Sequence, residues 1–234
     1  MSLRERVGRE QSKGKFFLVG GQRLDGKTTI AGTLKGKTLL VQSDLLEAGA
    51  ASAEALALRE GNSLDVVSFS SISDLYEILE DKEVLGYDNV YVDGISAINE
   101  LVTMREDFQK AAKKNIWDAY RLVGDEMTKC MIFLKRMANE NSINVGVTLA
   151  YKLRDVNGVL TLEPDVKGNV TISQIQKLVP IVLGVRKKFD EDGNMKRVLV
   201  TKSDELYPAR IDSLLDENNS GEVAPDLGEL LSKI

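Results

Sequence analysis

Gly21-Gln22-Arg23-Leu24-Asp25-Gly26-Lys27-Thr28 fits the pattern G-x-x-x-x-G-K-[ST] at every fixed position. A polyphosphate is held by several donors converging on a small volume, and a loop wrapped around an anion supplies them from its own backbone N–H groups. Gly21 and Gly26 allow the wrapping, because glycine accepts positive φ and brings no Cβ towards the ligand. In loops of this kind the lysine, here Lys27, reaches the β- and γ-phosphates, and the hydroxyl, here Thr28, ligates Mg²⁺. Thr29 is expected to open a helix patterned by Ile30, Ala31 and Leu34, whose N-terminal dipole adds to the attraction for an anion. Phe16-Phe17-Leu18-Val19, immediately upstream, reads as the strand that must feed the loop. The stretch predicts a nucleotide-triphosphate-binding segment over residues 21–29, with Mg²⁺ as the companion ion.

Composition bounds the rest. With 234 residues, 43% of them hydrophobic and 29% charged, the chain is long and apolar enough for one domain with a sizeable core. We expect a flexible arm over 1–15, one domain over 16–211, and a peripheral tail over 212–234. No apolar run approaches the ~20 residues that span a bilayer, and Met1-Ser2-Leu3-Arg4-Glu5-Arg6 leads into polar sequence, so a cytoplasmic protein is expected. The chain contains no histidine, which excludes Ser-His-Asp triads, histidine bases and the usual zinc sites. Cys130, the single cysteine, shares a helical stripe with Met127, Met131 and Leu134 and reads as core. A net charge of −5 exerts no global pull on nucleic acid, so such binding would need a local basic loop or assembly.

Further strands are expected at Leu39-Leu40-Val41-Gln42, Val66-Val67-Ser68-Phe69, Asn89-Val90-Tyr91-Val92-Asp93 and Asn144-Val145-Gly146-Val147-Thr148-Leu149. Helical patterns cover Leu45 to Glu60, Ser73 to Asp81 with Ser73 as cap, Leu101 to Lys114, and Ile116 to Asn139. Trp117 reads as a packing residue at the start of the last. Asn157-Gly158 and Asp192-Gly193 are hairpin signals between apolar stretches.

The strand ending in Asp93 resembles a Walker B element, which sets an aspartate beside the phosphate loop to hold the Mg²⁺ shell with Thr28. Thr148, at the end of the fifth strand, is a candidate γ-phosphate sensor. Two strand candidates separate the loop strand from the Asp93 strand, which favours the ATPase branch that carries an inserted central strand, and the late hairpins favour its RecA-like members. AAA-type sites commonly place a glutamate directly after the Walker B aspartate, whereas Gly94 stands here. Asp44 and Glu47, just beyond the second strand, are the candidates to polarise an attacking water.

The chain resembles the phage-encoded RecA-like nucleotide-binding proteins that include single-strand annealing recombinases. The resemblance runs through residues 21–29, Val90-Tyr91-Val92-Asp93-Gly94-Ile95-Ser96, Gly124-Asp125-Glu126-Met127 and Glu163-Pro164-Asp165-Val166-Lys167-Gly168-Asn169. It implies an α/β fold: a RecA-like P-loop core with a mainly parallel central sheet flanked by helices, followed by C-terminal β-hairpins. It also implies Mg-ATP binding and hydrolysis, single-stranded DNA as partner in recombination or replication, a host-cell cytoplasmic location, and a homo-oligomer, ring or filament, in which a basic residue acts on the neighbour's nucleotide. Candidates for that trans-acting role are Arg186, Lys187, Lys202 and Arg210. Lys152, Arg154 and Lys167 are the candidates to track DNA phosphates, with Tyr151 to stack a base. Where such proteins carry an acidic pair after the second strand, Gln42-Ser43-Asp44-Leu45-Leu46-Glu47 stands here. Two other classes compete: an ATP-dependent switch or assembly factor without DNA, and a small-molecule or nucleotide kinase.

Overall fold

Strands that are apolar at nearly every position need cover on both faces, and the chain builds its centre from several of them. The computed structural model describes residues 14–44, 49–156, 158–166, 175, 177–211 and 221–234. Its strands are β1 (Phe16–Gly21), β2 (Lys37–Ser43), β3 (Ser63–Phe69), β4 (Asn89–Asp93), β5 (Asn144–Val156), β6 (Val159–Pro164), β7 (Ile181–Phe189), β8 (Met195–Val200) and β9 (Glu222–Val223). They form one sheet in the order β3-β2-β4-β5-β1-β7-β8-β9, with β6 added to β5. Pairing is parallel from β3 through β7 and antiparallel at β7–β8, β8–β9 and β5–β6. The molecule is α/β with a mostly parallel central sheet flanked by helices.

Period-two alternation divides each central strand between two cores. Phe16, Leu18, Leu39, Val41, Val90, Val92, Val145 and Val147 face one layer. That layer is made by α2 (Ile72–Glu80), α3 (Ile95–Met104), α4 (Glu106–Lys114) and the long α5 (Ile116–Asn141). Phe17, Val19, Leu40, Tyr91, Leu183, Val185 and Leu199 face the other, with Ile30, Ala31, Leu34 and Ala53. Here α1 (Ala50–Arg59) and α6 (Leu227–Ser232) supply the cover. Among the described residues no helix is long and apolar enough to cross a membrane.

Several expectations need correction. The helix after the loop is a five-residue 3-10 helix, Thr29–Thr33, and not an α-helix. From Thr29 the chain must run back along β1 and step past β5 and β4 to reach β2, starting at Lys37. An α-helix rises only about 1.5 Å per residue, against about 2.0 Å for 3-10 winding, so tighter winding spans the gap with few residues. So short an element contributes little dipole to the loop. Ser71, not Ser73, caps α2, its side chain accepting from Asp74 N–H. The pattern from Leu101 to Lys114 breaks at Arg105, whose extended backbone separates α3 from α4. Trp117 is 76% exposed and does not pack. The supposed peripheral tail contributes β9 to the sheet and α6 to the core, with Leu227, Leu230 and Leu231 buried against Ile30 and Leu34. The Val156–Val159 and Phe189–Met195 connections are hairpins as expected, with Gly158 and Gly193 at φ 85° and 79°.

Candidate functional site

The loop Gly21–Thr28 leaves the C-terminal end of β1 and is gripped by β4. Tyr91 and Asp93, two residues apart on one strand, point to the same face. The Tyr91 hydroxyl donates to the Lys27 carbonyl at 2.8 Å, and the Thr28 hydroxyl donates to Asp93 Oδ2 at 2.5 Å. Thr148, from β5, donates to Asp93 Oδ1 at 2.6 Å and accepts from Gly94 N–H at 2.5 Å. Gly94 sits at φ 81°, so a glutamate at this position would be strained. Thr28, Asp93 and Thr148, singled out separately in the sequence, thus form one contiguous cluster.

Within the loop, Asp25 Oδ2 accepts from Gln22 N–H at 2.9 Å, and Lys27 Nζ donates to Gln22 O at 2.9 Å. Gly26 adopts φ 95°, and a Cβ there would strike Arg197. Leu24 takes φ 67° and is 86% exposed, a costly conformation of the kind that collects at functional loops. Arg23 stands exposed beside it.

Asp93 is 1% exposed. Burial raises its pKa above the usual carboxylate range, while the Thr148 and Thr28 hydroxyls, the charge of Lys27 and Gly94 N–H act in the other direction. The Thr28 hydroxyl and the Asp93 carboxylate are hard oxygen donors. Mg²⁺ suits them, since it commonly takes one or two protein oxygens and completes its shell with phosphate and water. Among the described residues no group of three or more His, Cys, Asp and Glu could hold a metal. Cys130 is buried and its thiol is pushed up to about 12 by burial, in keeping with a core residue.

Beside the 3-10 helix lies a groove of about 730 Å³, lined by Thr29, Ile30 and Thr33, by Leu56 and Arg59 of α1, by Lys187, Met195 and Arg197 of the β7–β8 hairpin, and by Pro225. Arg197 Nε donates to the Asp25 carbonyl at 3.0 Å, and Tyr207 lies 3.4 Å from Asp25 Oδ2. Neither residue was singled out in the sequence. Period-two reading of β8 finds Arg197, since it shares a face with Leu199, and register pairs it with Lys187.

The remaining candidates divide. Asp44 follows β2 and is exposed, its N–H donating to Phe69 O at 3.1 Å. Glu47 and Lys167 lie outside the described residues. Arg186 Nη1 bonds Asp204 Oδ2 at 2.6 Å, its Nε bonds Glu222 Oε1 at 2.8 Å, and its guanidinium lies over the Tyr207 ring. Arg210 Nη2 donates to Val179 O at 2.5 Å. Lys202 is exposed just beyond β8. Lys152 and Arg154 pair with Asp165 and Glu163 across the β5–β6 hairpin. Tyr151 is buried against Tyr207, so it offers no ring to a base.

No family model matches the chain, and no curated protein matches it in sequence.

Proposed function

We propose that this chain is a Mg-ATP-binding ATPase with a RecA-like phosphate-loop core. The joint placement of Thr28 and Asp93 carries the reading: the hydroxyl that ends the G-x-x-x-x-G-K-[ST] loop meets, at 2.5 Å, the carboxylate that ends β4. A glycine turn with no ligand gives no reason to bury a carboxylate there. The strand order supports the same class, because β5 lies between the loop strand β1 and the Asp93 strand β4. An intervening strand at this place is what the RecA-like reading expects.

Backbone N–H groups of the loop other than that of Gln22, which Asp25 holds, would take the phosphates, and Lys27 would leave Gln22 O to neutralise them. Because Thr28 donates its proton to Asp93, its lone pairs remain for a cation. Thr28 and Asp93 would hold Mg²⁺, whose charge would offset that of the phosphates. The groove beside Thr29, with the apolar surfaces of Leu56, Met195 and Pro225 and with Arg197 against Gly26, would receive the nucleoside. Thr148 senses the γ-phosphate through Asp93, and Asp44 is the described carboxylate best placed by sequence to orient water.

A nucleotide-dependent switch with slow turnover is the second reading. Gln42, opposite Asp93 on β2, favours it, since an amide stands where an acid would speed hydrolysis. A single-stranded DNA partner and an oligomer rest on the resemblance alone. The described hairpin residues 151–156 and 158–166 carry two cations against three carboxylates, which does not favour DNA contact there. Arg186 is committed within its own chain, and of the other candidates Lys202 and Arg210 are the exposed ones.

Lys27→Ala tests the central reading. ATP affinity measured by calorimetry should fall at least about 100-fold, or about 2.7 kcal/mol, with the thermal midpoint of the nucleotide-free protein unchanged. Wild-type affinity in a folded variant removes the assignment.

A further inference from the structure

Among the described residues, Gln42 Oε1 is the one buried side-chain polar atom without a hydrogen-bond partner. Such an atom costs stability unless something outside the chain satisfies it. Its position indicates what that is. On β2, Gln42 stands in register with Ser68 of β3 on one side and with Asp93 of β4 on the other. Paired residues on parallel strands about 4.8 Å apart project to the same face. Gln42 Nε2 lies 3.5 Å from Ser68 Oγ, and Thr148 bonds Asp93 one strand further on. A polar row therefore crosses β3, β2, β4 and β5 next to Thr28. Ser68 contacts Gln42, and Thr148 contacts Asp93. Between Gln42 Oε1 and the Asp93 carboxylate both atoms are acceptors, so no direct bond joins them. A molecule with two donors does, and water is the smallest.

We propose that Gln42 Oε1 and Asp93 together hold a water of the divalent cation's hydration shell, which makes Gln42 a positioning residue for the ion. This rests on the Mg-ATP reading above. Mg²⁺ dehydrates reluctantly and keeps several waters when protein-bound, and groups that orient those waters tune its affinity. An amide does this without setting a second negative charge beside a carboxylate that burial already disfavours.

Gln42→Leu removes the acceptor at similar volume, and Gln42→Glu keeps one. ATP binding is titrated calorimetrically in EDTA and over a range of Mg²⁺ concentrations. For Gln42→Leu we expect wild-type affinity in EDTA, an undiminished thermal midpoint, and a Mg²⁺ requirement raised about tenfold. Gln42→Glu keeps an acceptor and so retains a Mg²⁺ response, although its added charge shifts the midpoint. An unchanged requirement in Gln42→Leu overturns the assignment. So does a lost response in Gln42→Glu, which would mean that the amide donates to Asp93 instead; this arm decides alone if the leucine variant does not fold. Wild-type ATP binding that ignores Mg²⁺ overturns the parent reading, and the assignment falls with it.

Discussion

Two carboxylates, one on the last strand of the sheet and one on a central strand, are held in opposite ways. Glu222, on β9, is gripped by Lys188 and Arg186, and these cations pull its pKa below the usual range. Asp93, on β4, is almost fully buried, takes its short hydrogen bonds from two threonine hydroxyls, and has its pKa raised by burial. A carboxylate whose task is to tie β9 to the sheet carries its cations in the same chain. Asp93 is positioned by neutral donors and dehydrated, which is the combination expected of a group that acts on something the chain does not itself supply.

The contrast is broken most forcefully at Asp93. With Asp93→Ala, ATP binding should lose its Mg²⁺-dependent strengthening, a change on the order of 100-fold, while binding in EDTA stays near wild type. A variant that keeps the full Mg²⁺ response would place the ion elsewhere. At the other site the expected effect is on folding and not on ligand. Arg186→Met should destabilise the protein by about 1 kcal/mol, because the guanidinium and its partners are part-exposed and solvent screens the loss. ATP affinity should be unchanged, and a drop would mean that this cluster also shapes the loop through Tyr207 and Asp25.

The opposite pKa directions also predict opposite pH slopes in the nucleotide-free protein. Folded Asp93 keeps its proton at pH values where the unfolded group, near 4, has lost it. Its contribution to stability therefore falls as pH rises from about 4 through the raised folded value. Glu222 is ionised in the fold where the unfolded group is still protonated. Its contribution is present above the unfolded value and is lost as pH falls through the folded one. Urea unfolding in EDTA across pH should show Asp93→Asn gaining on wild type as pH rises, and Glu222→Gln trailing it most near neutrality. Parallel slopes would erase the distinction between the sites.

What could be read in the sequence is what carries a local signal. The loop, the apolar run ending in Asp93 and the hairpin turns announce themselves within a few residues, and the mostly parallel sheet agrees with strands that are apolar on both faces. The contacts that complete the site depend on which strands become neighbours and in what register. Tyr91 looked like one more strand residue until β4 came under the loop, and Gln42 acquired meaning only opposite Asp93. Arg197 lies 172 residues from the carbonyl it bonds. Arg186 and Lys187 are equivalent as sequence, yet period-two alternation turns Arg186 to the face of Tyr207 and Glu222. The 3-10 helix follows from the distance the chain must cover to β2, which no propensity scale contains.

The smallest effect belongs to the β5–β6 hairpin, and it sharpens the comparison from the exposed side. Arg154 Nη1 donates to both oxygens of Glu163 at 3.0 Å, but the arginine side chain is 60% exposed. An ion pair in that setting contributes at most about 0.5 kcal/mol, so Arg154→Ala should leave stability and ATP affinity within error of wild type. The same substitution reads the DNA question cleanly because it disturbs nothing else. If single-stranded DNA lies along this hairpin, its phosphate must replace Glu163 as the partner of Arg154. Binding should then weaken uniformly across sequences, and the slope of log affinity against log salt should lessen by about one. An unchanged slope with measurable DNA binding moves the contact away from the hairpin, and absence of DNA binding in the wild type leaves the nucleotide-dependent switch as the better account of the molecule.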